Sequence, residues 1–374
     1  MPENKVKQYD CAIIGGGLSG LCLAIQLSKK GHSVVVFEKN EYPFHKVCGE
    51  YISNESRNFL ESLGLRLSEM NLPRINQLGV SSVKGFMMEA PLELGGFGIS
   101  RFTLDHQLSI IAEREGAEII QNCKVFNVKE LDGISEVITS AGKYNAKIIC
   151  GSYGKHNPVF IDKIKADPKN YIAVKYHIKT KLAGNRIELH NFKNGYCGIS
   201  KVDNETYCLC YLTTANNLLN NKNDVKQLEK NVLMENPFLK KYFMESEFLF
   251  DEPLIISNIT FNKKNTYNNG VFLLGDASGA IAPLCGNGMS MGMRASFIFA
   301  KLADKYFTNQ ISKSELIDLY KKEWNQNFSS RIKAGYYLQQ IFGKNIPTHL
   351  SLKFLNYFSG LTRKIISLTH GRPF

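Results

Sequence analysis

The stretch from Tyr9 to Lys39, YDCAIIGGGLSGLCLAIQLSKKGHSVVVFEK, constrains the fold of this 374-residue chain more than any other. An apolar run, Cys11 to Ile14, meets Gly15, Gly16 and Gly17, and apolar residues then recur with helical spacing at Leu18, Leu21, Ala24, Ile25 and Leu27. Gly31 stops that helix, and Ser33 to Phe37 form a second apolar run that ends in Glu38. Strand, glycine turn, helix, strand and acid, in that order, make up a dinucleotide site in a parallel α/β sheet. Gly15 suits the tight turn, Gly17 lets the backbone approach a pyrophosphate, and Gly20 lets the helix pack closely on the strand. Leu18 and Ser19 open the helix, whose unpaired N–H groups and positive dipole end favour phosphates. Glu38, followed by Lys39, stands where a carboxylate accepts hydrogen bonds from ribose hydroxyls. This stretch alone leaves NAD(P) and FAD both open.

A chain of this length accommodates more than one domain, and 44% hydrophobic with 21% charged residues places it among globular proteins. No apolar run reaches the ~18 residues of a membrane span, and the apolar N-terminal segment, lacking a cleavage site, does not read as a signal peptide. The nine cysteines form no CxxC pair. Neither a zinc site nor a disulfide framework is expected, and a reducing, cytoplasmic compartment follows. The eight histidines show no metal-ligand spacing, so no metal is expected. The net charge of +12 is concentrated late, with twelve Lys and Arg against four acids from Lys301 onward. No nucleic-acid-binding motif accompanies it, which argues against a nucleic-acid partner. The last stretch, SLKFLNYFSGLTRKIISLTHGRPF, mixes aromatic and aliphatic residues with basic charges only. Two readings stay open there: a helix lying on an anionic membrane surface, or one packed on its own domain.

Along the chain, RFTLDHQLSIIAEREG reads as an amphipathic helix with Thr103 at its N-cap, and KYNAKIICGS as a buried parallel strand. Residues 171–215 alternate as antiparallel strands, 224–243 read as a helix, and the end of the chain is helical. The expected organisation is a discontinuous nucleotide-binding domain (1–165 and 255–310), an inserted antiparallel-sheet substrate domain (166–254) and a helical region (311–374). The late unit VFLLGDASGAIAPLCGNGMSMGMRAS selects the cofactor. Gly275 and Asp276 end a strand, which puts a carboxylate where open α/β sheets bind ligands. A ribityl chain calls for such a carboxylate; a nicotinamide dinucleotide does not. Pro283, Gly286, Asn287 and Gly288 lead to a helix starting near Met289, whose N-terminus would face the N1–C2=O edge of a flavin.

On these residues, with Arg101-x-x-Leu104-Asp105 and YKKEWNQNFSSRIKAGYYLQQIF, the chain resembles FAD-dependent oxidoreductases of the geranylgeranyl reductase type, a branch of the p-hydroxybenzoate hydroxylase-like flavoproteins. The resemblance implies a Rossmann-like FAD domain in which Gly15, Gly17, Gly20 and Glu38 hold the ADP half. It further implies that Arg101 contacts FAD, Val125 supplies backbone to the adenine, and Asp276 binds the ribityl or pyrophosphate region. His45, Lys46, Cys48, Gly49 and Glu50 resemble the family's loop towards the flavin, where reductases carry a Cys-Gly pair. Cys48 is then the candidate proton donor beside the ring, and Lys46 a charge for the pyrophosphate. The wider group's second Gly-x-Asp-Gly motif reads Gly151-Ser152-Tyr153-Gly154 here. The halogenases' Trp-x-Trp-x-Ile-Pro has no counterpart, since Trp324 is the only tryptophan, and halogenation is not expected. The leading expectation is an FAD-dependent reductase of carbon–carbon double bonds in an apolar, lipid-like substrate, with NAD(P)H or an electron-carrier protein as reductant. The alternatives are an FAD monooxygenase using NAD(P)H and O₂, and a non-catalytic flavin-binding module at a membrane surface.

Overall fold

The computed structural model describes residues 7–131, 133–162, 170–259, 261, 265–279 and 286–374. Pro283 and Cys285 lie outside the described residues. Two sheets and a set of C-terminal helices make up the architecture, with a Rossmann-like first sheet as expected. The first sheet runs Tyr267–Asn268, Val271–Leu273, Gly142–Gly151, Gln8–Ile14, Val34–Phe37, Glu118–Ile120 in spatial order. Its four inner strands are mutually parallel, with Ile14 opposite both Phe37 and Gly151, and Leu273 opposite Gly151. Their carboxyl ends therefore finish level, which is where ligands bind in such sheets. The helix Leu18–Ser28 is buried along nearly its whole length, held between the sheet and the helix Gly288–Phe307.

The second sheet has nine strands and is antiparallel except where Arg186–Phe192 runs parallel to Arg74–Ser81. Residues 51–98 fall within the first segment of the expected nucleotide-binding domain, yet Tyr51–Ser53, Arg74–Ser81 and Met87–Gly98 hydrogen-bond into this second sheet. The first sheet takes its next strand, Glu118–Ile120, only after the helix Arg101–Arg114 has crossed back. The N-cap of that helix is Ser100 rather than Thr103, because the Ser100 hydroxyl accepts from the Thr103 N–H at 3.1 Å. The helix expected over 224–243 is two helices, Val225–Asn231 and Pro237–Glu245. The second begins on its own cap, Asn236, and on a proline that suits a first turn.

The helix Lys313–Ile341 starts from a Ser312–Glu315 capping box. It is fixed to the end of the first sheet by Tyr320 Oη donating to the Leu273 carbonyl (2.9 Å) and Trp324 Nε1 donating to Ser278 Oγ (3.1 Å). Two further helices, Asn345–Tyr357 and Ser359–Thr369, lie against the strand Met87–Gly98.

Candidate functional site

The turn after Gln8–Ile14 has the shape its glycines predict. Gly15 adopts φ +100°, and a Cβ there would stand 2.6 Å from the Ser152 carbonyl oxygen. At Gly20 a Cβ would overlap the Gly15 carbonyl, which is the close helix–strand approach expected of the third glycine. Glu38 is buried and already organised: one carboxylate oxygen accepts from the Gly16 N–H (2.9 Å), the other from the N–H and side chain of Asn40 (3.1 and 3.0 Å).

Two cations stand over this turn. Arg101 binds Asp105 through two nitrogens (2.8 and 2.7 Å), and Lys46 Nζ approaches the same carboxylate at 3.1 Å. Burial disfavours the Asp105 charge, but Arg101 and Lys46 outweigh it and hold its pKa below the usual carboxylate range. Burial likewise works against the Arg101 charge, and Asp105 followed by a contact with the Cys48 side chain keeps that guanidinium protonated. A Cβ on Gly17 would lie 3.6 Å from Lys46 Nζ and 3.8 Å from an Arg101 nitrogen. Both charges are thus within reach of a group bound on the glycine turn. Asp105, the last residue of the Arg101-x-x-Leu104-Asp105 motif, tethers the two cations.

A single cavity of about 1060 Å³ joins the parts. Gly15, Gly17, Leu18, Ser19, Glu38, Lys39 and Val125 line one region, and Lys46, Cys48, Gly49 and Arg101 the next. Gly275, Asp276, Gly286, Gly288 and Met289 approach from the late strand and helix. Gly16, Gly20 and Asn287 stand behind the wall: Gly16 serves Glu38, Gly20 packs, and Asn287 is buried with its amide donating to the Thr369 carbonyl (2.6 Å). The helix Gly288–Phe307 begins at the expected place. Three buried polar atoms of cavity-lining residues have no partner among the described residues: Tyr51 Oη, Tyr153 Oη and His45 Nδ1. Buried polar groups are normally satisfied. Orphaned groups beside a cation pair, a glycine turn and a helix N-terminus fit a large polar cofactor with a pyrophosphate. Tyr153, in place of the wider group's aspartate, lines this cavity.

Sequence reasoning missed a buried charge cluster under the Cys48 loop. Glu50 and Lys175 are fully buried and His177 nearly so. Glu50 accepts from Lys175 Nζ (2.5 Å), from the backbone N–H of Arg101 (2.8 Å), and meets His177 Nε2 at 2.6 Å. Burial alone would raise the Glu50 pKa, but His177 and Lys175 outweigh it and hold the carboxylate low. Lys175 is pulled down by burial and, more strongly, up by Cys208 and Glu50. Lys175 also donates to the Lys46 carbonyl (3.2 Å), and the Cys208 thiol to the Cys48 carbonyl (3.2 Å). The loop is therefore clamped at two backbone points to the second sheet. Glu50, His177 and Cys208 have ligand-like spacing, but the Lys175 ammonium supplies the positive charge a metal would bring. Cys208 and His177 both take part in holding the loop. Cys210 lines the cavity.

Beyond Cys48 the cavity becomes apolar. Leu78, Val80, Met88 and Leu92 wall it from the second sheet, and Leu338, Phe342, Leu352, Leu355, Ile365 and Ile366 from the C-terminal helices.

Residues 13–65 match the NAD(P)-binding Rossmann-like domain family. Over 86% of its length the chain is 24% identical to conditioned medium factor receptor 1 of Dictyostelium discoideum, covering 68% of that protein. It is 22% identical to the digeranylgeranylglycerophospholipid reductase of Methanococcus vannielii, covering 86% of this chain and 83% of the relative. Among solved structures, the flavin-dependent brominase Bmp2 superposes with a TM-score of 0.81 at 18% identity, covering 97% of this chain and 93% of that one. The chain is an FAD-dependent oxidoreductase, similar to the geranylgeranyl reductases and the p-hydroxybenzoate hydroxylase-like flavoproteins.

Proposed function

We propose that the chain is a reductase of carbon–carbon double bonds in an apolar, lipid-like substrate, recharged by NAD(P)H or an electron-carrier protein. The observation that carries this reading is the continuity of the cavity: the cofactor cradle runs past Cys48 into a wall of aliphatic side chains. When bound, FAD supplies the hydride equivalent for such a reaction. Glu38 would hold the ribose, Arg101 and Lys46 the pyrophosphate, and Asp276 the ribityl hydroxyls. The N–H groups opening Gly288–Phe307 would favour negative charge at the ring edge. Cys48 Sγ–H would give the proton to the second carbon of the double bond. The thiolate left behind would take a proton back before the next turnover, with the Arg101 side chain beside it. The aliphatic wall excludes water from that transfer. The reductase of Methanococcus vannielii, whose name denotes a phospholipid substrate, supports the substrate class.

The test is anaerobic. The purified protein is reduced, mixed with candidate alkenes, and the flavin spectrum followed; oxygen-independent reoxidation with formation of the saturated product is expected. Reoxidation that requires oxygen and yields a hydroxylated product would favour a monooxygenase. No reoxidation above background in any condition would favour a flavin-binding sensor, the reading that the receptor name of one relative supports. Cys48→Ser is expected to keep FAD and lose alkene turnover by about 10²–10⁴-fold, the usual contribution of a positioned acid. Unchanged turnover returns Cys48 to a packing role.

A further inference from the structure

Nineteen large hydrophobic side chains are exposed among the described residues, and ten of them fall between Tyr336 and Leu368. On Asn345–Tyr357 the exposed positions Ile346, Leu350, Phe354 and Tyr357 follow helical spacing, and on Ser359–Thr369 Leu361 and Leu368 do the same. Lys344, Lys353 and Lys364 are exposed among them and form no ion pair among the described residues. After Glu323 the sequence contains no acid at all. The opposite sides of these two helices carry Leu352, Leu355 and Ile366, which wall the cavity. Each helix is thus apolar on both sides, with one side inside the substrate arm and the other in solvent. Scattered exposed apolar residues need no explanation, but a concentration of them does.

We propose that this outer face seats the protein on an anionic lipid bilayer, so that the helices walling the substrate arm lie at the membrane surface. Aromatic and aliphatic side chains on a helix pair, interleaved with lysines and free of acids, match the interfacial depth and charge of such a surface. A protein partner would be expected to meet a patch depleted in lysine at its centre. No helix among the described residues is long and apolar enough to cross a membrane, so the contact is one of lying on the surface. The inference deepens the lipid-substrate reading and rests on it for its purpose; the binding itself is read without turnover.

The experiment is cosedimentation of the FAD-loaded protein with phosphatidylcholine vesicles, with and without phosphatidylserine, in the absence of substrate. Binding to the anionic vesicles only is expected. Each basic side chain near such a surface contributes roughly fivefold, so Lys344→Gln/Lys353→Gln/Lys364→Gln should weaken binding about a hundredfold. Phe354→Ser/Tyr357→Ser should weaken it at least tenfold. Both variants should keep wild-type FAD content and wild-type turnover of a soluble short-chain alkene. Failure of wild type and variants alike on the soluble alkene would count against the reductase reading and leave the vesicle result standing. No cosedimentation with either vesicle, or unweakened binding by both variants, overturns the proposal. So does a concentration-dependent dimer in sedimentation velocity that both variants abolish, since the face would then be an interface between copies.

Discussion

Removing the Lys175 ammonium tests whether the cluster beneath the Cys48 loop is as tightly coupled as its geometry implies. In Lys175→Met the side-chain volume is roughly kept, but the Glu50 carboxylate loses its 2.5 Å partner while still accepting from His177 and the Arg101 N–H. Lys46 also loses the donor to its carbonyl. Breaking one side of a buried pair costs about 3–5 kcal/mol, because the remaining charge has no water to turn to. The two remaining hydrogen bonds to Glu50 place the loss at the lower end of that range, at about 3 kcal/mol. Adding Glu50→Gln removes the stranded charge, so the double variant should recover about 1–2 kcal/mol relative to the sum of the single losses. Urea unfolding followed by far-UV circular dichroism measures both. A Lys175→Met loss below about 1 kcal/mol, or losses that simply add in the double variant, would refute the argued coupling.

Glu229 offers a pH test. Both Tyr176 and Tyr211 donate to its Oε1 at 2.9 Å, yet burial dominates and pushes its pKa from 4.5 up to about 7. Between those values the folded state keeps a proton that the unfolded state has released, so stability falls as pH rises, with the full loss of about 3 kcal/mol reached above pH 7. Glu229→Gln keeps the acceptor oxygen and removes the ionisation; its advantage over wild type should grow by about 2–3 kcal/mol between pH 4.5 and 8 in urea midpoints. A pH-independent difference would show that the carboxyl ionises freely in the fold. At the cofactor, Asp276→Ala should weaken FAD binding by roughly tenfold to a hundredfold, the value of one charge-assisted hydrogen bond, measured as flavin retained after gel filtration. Full occupancy would remove Asp276 from the cofactor site.

The nucleotide unit was legible because its elements are local. A strand, a turn, a helix and an acid within about thirty residues leave a periodic trace that burial then follows. Asp276 and Gly288 were legible because they sit at a strand end and a helix start, positions that punctuation in the chain marks. The Glu50–Lys175–His177 cluster spans more than a hundred residues and could be found only as an anomaly. In YIAVKYHIK, Lys175 and His177 occupy the same face of a strand otherwise suited to burial, a signal that a buried acid awaits them. The allocation of strands 51–98 to the second sheet was not legible, because edge availability depends on which strands have already paired. The Ser100 cap was missed for a smaller reason: Asp203, distant in sequence, accepts from both the Ser100 N–H and the Thr103 hydroxyl and fixes where the helix begins.

The attachment of residues 46–50 to the strand Tyr171–Lys179 has one more consequence. The segment proposed to meet the cofactor's phosphates and the sheet that walls the apolar arm share the same few bonds, so a shift of one is felt by the other. A bulky substitution at Ala173, which lines the arm next to Lys175 on the same strand face, should therefore alter FAD affinity. A molecule bound in the arm should change FAD affinity by the same factor as FAD loading changes the affinity for that molecule. Loading of the coenzyme and selection of its client become one equilibrium rather than two.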